Sequence, residues 1–329
     1  MEGYMISLQL RMTLLLAALF AIIYAVITMV GTYMGVTNFY FYLILSFGIM
    51  LVQYLVGPKI IEWTMRVKYI KKEESPALFA MVEQQAQMAG IPMPRICISD
   101  SAAPNAFAFG RGRRDGRVCV SRGIMNLLSH EELRAVVGHE LTHIKNRDVL
   151  TITLLSVIPM ILYRVAWHFL FYGGGRRNDR GNNTVLIGIA AMLFYFVTNL
   201  LVLYGSRIRE YYADQGSVEL GNSPSALASA LYKLVYGSAR LDREALRETE
   251  GLKAFFMNDP SQAKHEIREL SQLDLDKSGT IDSMELNTLQ HKALKLGFGD
   301  YVMEALSTHP NMLKRIQHLS SLGRSGVLR

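Results

Sequence analysis

"VVGHELTHIKNRD", residues 136–148, ends where a long apolar segment begins at Val149. It holds His139 and His143 four residues apart, with Glu140 beside the first. Side chains at that spacing share one face of a helix and can reach a single ion. Neutral imidazoles suit zinc, and a catalytic zinc takes three protein ligands and keeps a position for water. Glu140 stands where it could reach that water. The stretch therefore sets metal chemistry directly against sequence long enough to enter a bilayer.

Working outward, half of the 329 residues are hydrophobic and the mean hydropathy is +0.17, too apolar for an ordinary soluble chain. The excess lies in four blocks: Met12 to Val30, Phe39 to Val56, Val149 to Tyr172 and Thr184 to Tyr204. Each approaches or exceeds the ~18–20 residues that a helix needs to cross hydrocarbon. The first lacks a small-residue cleavage site and is soon followed by the second, so it reads as a span and not a signal peptide. The formal charge of +7 reads as topology, not nucleic-acid binding. Lys59, Arg66, Lys68, Lys71 and Lys72 follow the second block, which puts residues 57–148 in the cytoplasm by the positive-inside rule. Both termini and residues 205–329 then lie there too. The loop 173–183, with Arg176, Arg177 and Arg180, disagrees with the rule but is short and follows committed spans.

The third ligand is sought where the fourth block ends. His143 lies six residues before Val149, and Glu210 lies six residues after Tyr204. If both helices run straight out of the bilayer, both groups stand ~9 Å above it. Asp214 follows Glu210 by one helical turn and can accept a hydrogen bond from a ligand imidazole. Between the second and third blocks, 73–90 has helical apolar spacing closed by Gly90. "IPMPRICIS", "NAFAFG" and "GRVCVS" read as short strands, with "RGRRDG" as a turn. Cys97 and Cys119 could be neighbours there and are expected to be buried thiols. Ser129 with Glu132 forms a capping-box pattern that starts the metal-binding helix. That helix could continue directly into the third span.

"HELTH" (139–143), "SRIREYYAD" (206–214), "PNAFAFG" (104–110) and "STHPNMLKRIQHL" (307–319) together resemble the HtpX family of membrane zinc metallopeptidases, to which the CAAX prenyl protease is related. The pieces are separate and in the right order. The resemblance implies zinc held by His139, His143 and Glu210, with Glu140 as catalytic base and Asp214 orienting a ligand. It also implies that His309 helps to stabilise an oxyanion. It suggests that Asn105, Ala106, Phe107, Ala108 and Phe109 form an edge strand holding extended substrate, and that Arg315 contributes to substrate binding. The CAAX enzyme has more spans and a longer chain, so the HtpX branch fits better.

"DLDKSGTIDSMEL" (274–286) is a separate signal. Asp274, Asp276, Ser278, Thr280, Asp282 and Glu285 occupy positions 1, 3, 5, 7, 9 and 12 of an EF-hand calcium loop, with Gly279 at position 6. No partner loop is found, and EF-hands usually come in pairs.

The expected fold class is α+β: a mainly helical integral membrane protein with four transmembrane helices and a zincin-like cytoplasmic catalytic domain bearing a small β-sheet. Residues 1–57 supply two spans and 58–148 the first part of the catalytic domain. Residues 149–205 supply the other two spans, and 206–329 the second part with the calcium-type loop. The expected function is a plasma-membrane zinc endopeptidase using a metal-activated water, with calcium as a further ion. Its expected substrates are unfolded or misfolded membrane proteins in quality control, with no nucleic-acid partner. The alternatives are a CAAX-type or peptide-processing protease, or a calcium-responsive membrane scaffold with a structural zinc.

Overall fold

The computed structural model describes residues 39–148, 180–241, 263–289 and 298–322, with Met257 and scattered positions within 14–22 and 159–170. In chain order the elements begin with α1 (Phe39–Thr64), β1 (Val67–Tyr69), α2 (Pro76–Ala89), β2 (Arg95–Ser99) and β3 (Ala106–Phe109). Then come β4 (Arg117–Ser121), α3 (Arg122–Leu127), α4 (His130–Asn146), α5 (Arg180–Glu219) and α6 (Pro224–Ala239). The last four are α7 (Ala263–Leu270), α8 (Ser283–Leu289), α9 (Phe298–Ala305) and α10 (Met312–Leu322). Among the described residues the protein is thus mostly helical with one small mixed sheet. It forms two compact units, 1–56 with 151–205 and 57–150 with 206–329.

In the first unit, the apolar block at 39–56 is helical within α1, and the block at 184–204 is helical within α5. Among the described residues one helix, Val185–Glu219, is long and apolar enough to cross a bilayer. Leu186, Ile189, Leu193 and Phe196 are exposed on it, whereas Ala191 and Thr198 are buried. Gly188 meets Leu170 so closely that a Cβ there would lie 2.8 Å from its Cγ. The spans expected at 12–30 and 149–172 fall largely outside the described residues. The loop expected at 173–183 is helical from Arg180 onward.

In the second unit the strand order is β1-β2-β4-β3. β2 and β4 are parallel, and the outer pairs are antiparallel. β3 and β4 form the hairpin expected around "RGRRDG", and β3 is left at the sheet edge. Cys97 and Cys119 are register partners and both are free and buried. β1 had no sequence signal: three residues, Val-Lys-Tyr, are too few to show a period. On β3, Phe107 and Phe109 pack with Cys97, Cys119 and Met65. Ala106 and Ala108 join the larger core that includes Val136, Val137 and Leu141 of α4. Two small side chains on that face let the strand lie close to the helix.

α4 starts as the sequence implies. The Ser129 hydroxyl accepts from the Glu132 amide, and the Glu132 carboxylate accepts from the Ser129 amide. Its other end differs from expectation. The helix stops at Asn146, because Arg147 takes a left-handed conformation at φ 60° and its amide closes on the His143 and Ile144 carbonyls. That left-handed cap stops the helix, so it does not run on into the third apolar block.

Candidate metal centre

The centre lies where α4 meets the C-terminal part of α5, within the second unit. Two glycines permit the contact. A Cβ on Gly216 would come 2.3 Å from the Thr142 methyl, and one on Gly138 would come 2.4 Å from the Asn222 amide nitrogen. Polar bonds hold the crossing in register. The Ser217 hydroxyl donates to the Ala135 carbonyl at 2.6 Å, and the Asn222 amide donates to Gln85 at 2.9 Å. The Gln85 amide in turn donates to the Arg134 carbonyl.

This crossing brings His139, His143 and Glu210 together. The two Nε2 atoms are 3.1 Å apart. Glu210 Oε2 is 3.6 Å from His139 Nε2, and Oε1 is 3.5 Å from His143 Nε2. Asp214, one turn along α5, sets Oδ1 2.9 Å from His139 Nδ1. His139, Glu210 and Asp214 are buried, whereas the His143 side chain keeps 12% of its surface exposed. Glu140 is buried beside the ligands and outside their set, and its carboxylate is hydrogen-bonded by the Ala108 backbone of β3.

Residues 72–322 match the family described as peptidase family M48.

The chain belongs to peptidase family M48.

Three relatives extend the match. The chain is 53% identical over 228 residues to a protease HtpX homolog of Methanothermobacter thermautotrophicus, covering 69% of this chain and 86% of that one. It is 35% identical over 275 residues to a protease HtpX homolog of Moorella thermoacetica, covering 82% and 80%. It is 31% identical over 284 residues to protease HtpX homolog 2 of Methanosarcina mazei, covering 85% and 84%. A crystal structure of S. mikatae Ste24p superposes with a TM-score of 0.49 at 14% identity, covering 96% of this chain and 67% of that one. By family, the enzyme is a zinc metallopeptidase.

The donor set of this M48 peptidase fits zinc. In a tetrahedral site, bonds of ~2.0–2.1 Å put neighbouring ligand atoms ~3.3 Å apart. The two imidazole nitrogens are 3.1 Å apart, and each lies 3.5–3.6 Å from a different oxygen of Glu210, so the three groups are gathered closely enough to share one ion. Two imidazoles and one carboxylate also leave a fourth position for water, which a structural site would close with protein.

The charges around this set are balanced from behind. Arg315, fully buried, donates from Nε and Nη2 to both Asp214 oxygens at 2.9 and 2.7 Å, and from Nη1 to the Met257 carbonyl at 3.0 Å. Nη1 also lies 3.1 Å from Glu210 Oε2. Burial works against the Arg315 charge, but Asp214 and Glu210 outweigh it and hold its pKa above the ordinary guanidinium value. The resemblance suggested substrate contact for Arg315; its donors are instead committed beneath the ligands. For His139, burial disfavours the proton, yet Asp214 and Glu210 raise its pKa to about 9. In the metal-free protein an entering ion must therefore displace a proton. Metal affinity should weaken as pH falls, because protons then compete for the same imidazole. Burial raises the Glu140 pKa, Glu210 adds to that, and the two histidines and the Ala108 backbone oppose it.

His309 is buried with Nδ1 3.5 Å from Glu210 Oε2. The segment before it is held by Arg207, whose Nη1 donates to the carbonyls of Glu304, Ala305 and Ser307 at 2.9–3.0 Å. Asn105 is buried, and its side-chain oxygen accepts from the Met257 amide. Sequence reasoning missed Gln85, Ser217 and Asn222, none of which falls in a chemical motif, and it gave no role to Arg207 within "SRIREYYAD". It also missed Asp148, whose Oδ2 lies 2.7 Å from His143 Nδ1.

The calcium-type loop is a separate cluster. Asp274, Asp276 and Glu285 point carboxylates at one locus, and Asp274 and Glu285 are buried. Gly279 has φ 79° and Ile281 is buried. Asp274 accepts from the Ser278 and Gly279 amides and from the Tyr232 hydroxyl. The Ser278 and Thr280 hydroxyls bond each other at 2.9 Å, and Asp282 Oδ1 accepts from the Glu285 amide at the start of α8.

Proposed function

We propose that this chain is a membrane-embedded endopeptidase that cleaves extended segments of unfolded or misfolded membrane proteins. The observation that carries the reading is the position of β3, the terminal strand of the sheet, beside Glu140. An edge strand offers unpaired backbone groups to a peptide regardless of its side chains, which suits a broad clientele. Four spans with a cytoplasmic site are the membrane arrangement we infer, from the four apolar blocks and the basic run after the second.

Zinc bound by His139, His143 and Glu210 would acidify a water and polarise the scissile carbonyl. Glu140 would take a proton from the attacking water and deliver it to the leaving amide nitrogen. Ala106 to Phe109 bind the substrate backbone. His309, whose Nδ1 lies near Glu210, donates a hydrogen bond to the developing oxyanion.

Detergent-purified protein should degrade casein, lose that activity to a chelator, and regain it with zinc. Activity that survives chelation, or preference for a prenylated peptide over casein, would overturn the reading. We further assign calcium to Asp274, Asp276, Ser278, Thr280, Asp282 and Glu285. Isothermal titration should show one calcium site in the wild type that is lost in Glu285→Gln. Equal heats from both proteins would reject the assignment.

A further inference from the structure

The two ligand imidazoles are held differently. His139 is buried between α4 and α5, and Asp214, which rides on the same helix as the third ligand, takes its Nδ1. His143 is the more open of the two and has no such neighbour on α5. Its Nδ1 meets Asp148, which is 5% exposed and lies beyond the end of α4. The left-handed Arg147 ends the regular helix there, and the Asp148 carboxylate lies against His143 in its last turn. Arg209, also buried, then fixes Asp148 by donating from Nη1 to its backbone carbonyl at 2.6 Å. Arg209 immediately precedes the ligand Glu210, so one segment of α5 anchors both the third ligand and this support.

We propose that Asp148 is the positioning residue for His143, holding its proton on Nδ1 and its Nε2 toward the metal. The proposal rests on the zinc centre described above. A carboxylate on the far nitrogen fixes tautomer and ring orientation and strengthens the imidazole as a ligand, and loss of such a partner weakens metal affinity ~10–100-fold. The need is greater at His143 than at His139, because its ring is the more exposed of the two and is less confined by packing. The feature also explains why α4 must end at Asn146. A helix continuing straight would carry residue 148 away from His143.

Zinc affinity measured by chelator competition decides this, with cobalt as a spectroscopic substitute. Asp148→Asn keeps the shape and an oxygen that can accept from Nδ1, but removes the charge. It should weaken zinc binding several-fold and shift the visible absorption of the cobalt form. Asp148→Ala should weaken binding ~10–100-fold. Asp148→Asn with wild-type zinc affinity and an unchanged cobalt spectrum would overturn the proposal, whether or not the alanine variant folds. A wild type that binds no zinc would instead sink the metal centre itself.

Discussion

Glu140→Gln is expected to lower kcat for casein by about 10²–10⁴-fold, the usual contribution of a positioned general base, while zinc remains bound. The ligand atoms belong to His139, His143 and Glu210, so the substitution leaves the metal set intact. Glutamine also keeps an oxygen for the Ala108 backbone bond, so local packing should survive. What disappears is the ability to take a proton. The raised Glu140 pKa adds a pH dependence. Glu140 must be ionised to act, so activity falls as pH drops through its pKa. A nearby dication pulls that pKa back down. The acid limb should therefore lie between the ordinary carboxylate value and that of the metal-free site. Steady-state kinetics with parallel zinc analysis test this, and a variant keeping a third of wild-type kcat would contradict it.

Arg315→Met should destabilise the second unit by about 3–5 kcal/mol, the cost of breaking a buried ion pair from one side. Arg315 faces both Asp214 and Glu210, and all three are almost without solvent. Methionine fills part of the volume but leaves two carboxylates without their cation. Zinc supplies positive charge to the same locus, so the metal-loaded variant should recover part of the loss. Arg315→Lys keeps the charge but cannot bond both Asp214 oxygens as a planar fork, and should fall between. Thermal unfolding with and without zinc measures all three forms. A methionine variant within ~1 kcal/mol of wild type would show that the pair is not a buried support.

The metal set was legible because its members obey helical spacing. His139 and His143, and Glu210 and Asp214, are four apart, and a helix turns that interval into one face. The strands around Cys97, Phe107 and Cys119 were legible from their apolar runs and the turn between them. β1 was not, since an edge strand of three residues has no pattern to read. Asp148 was hidden for another reason. Its place depends on one left-handed residue, and an arginine gives no warning of that conformation, as a glycine would. Arg315 was assigned to substrate because its segment matched, but only packing shows which way a long cation points. Gly138 and Gly216 likewise gave no hint of the helix crossing that they permit, because close approach is a property of two distant segments at once.

The central claim is that three side chains from α4 and α5 converge on one metal ion. Zinc-edge X-ray absorption on the reloaded, detergent-purified protein tests it, beside Glu210→Ala treated identically. One zinc per chain is predicted in the wild type, with two imidazole nitrogens and oxygen in its first coordination sphere. The variant should hold the metal far more weakly. Wild-type zinc content and an unaltered spectrum in Glu210→Ala would contradict the account.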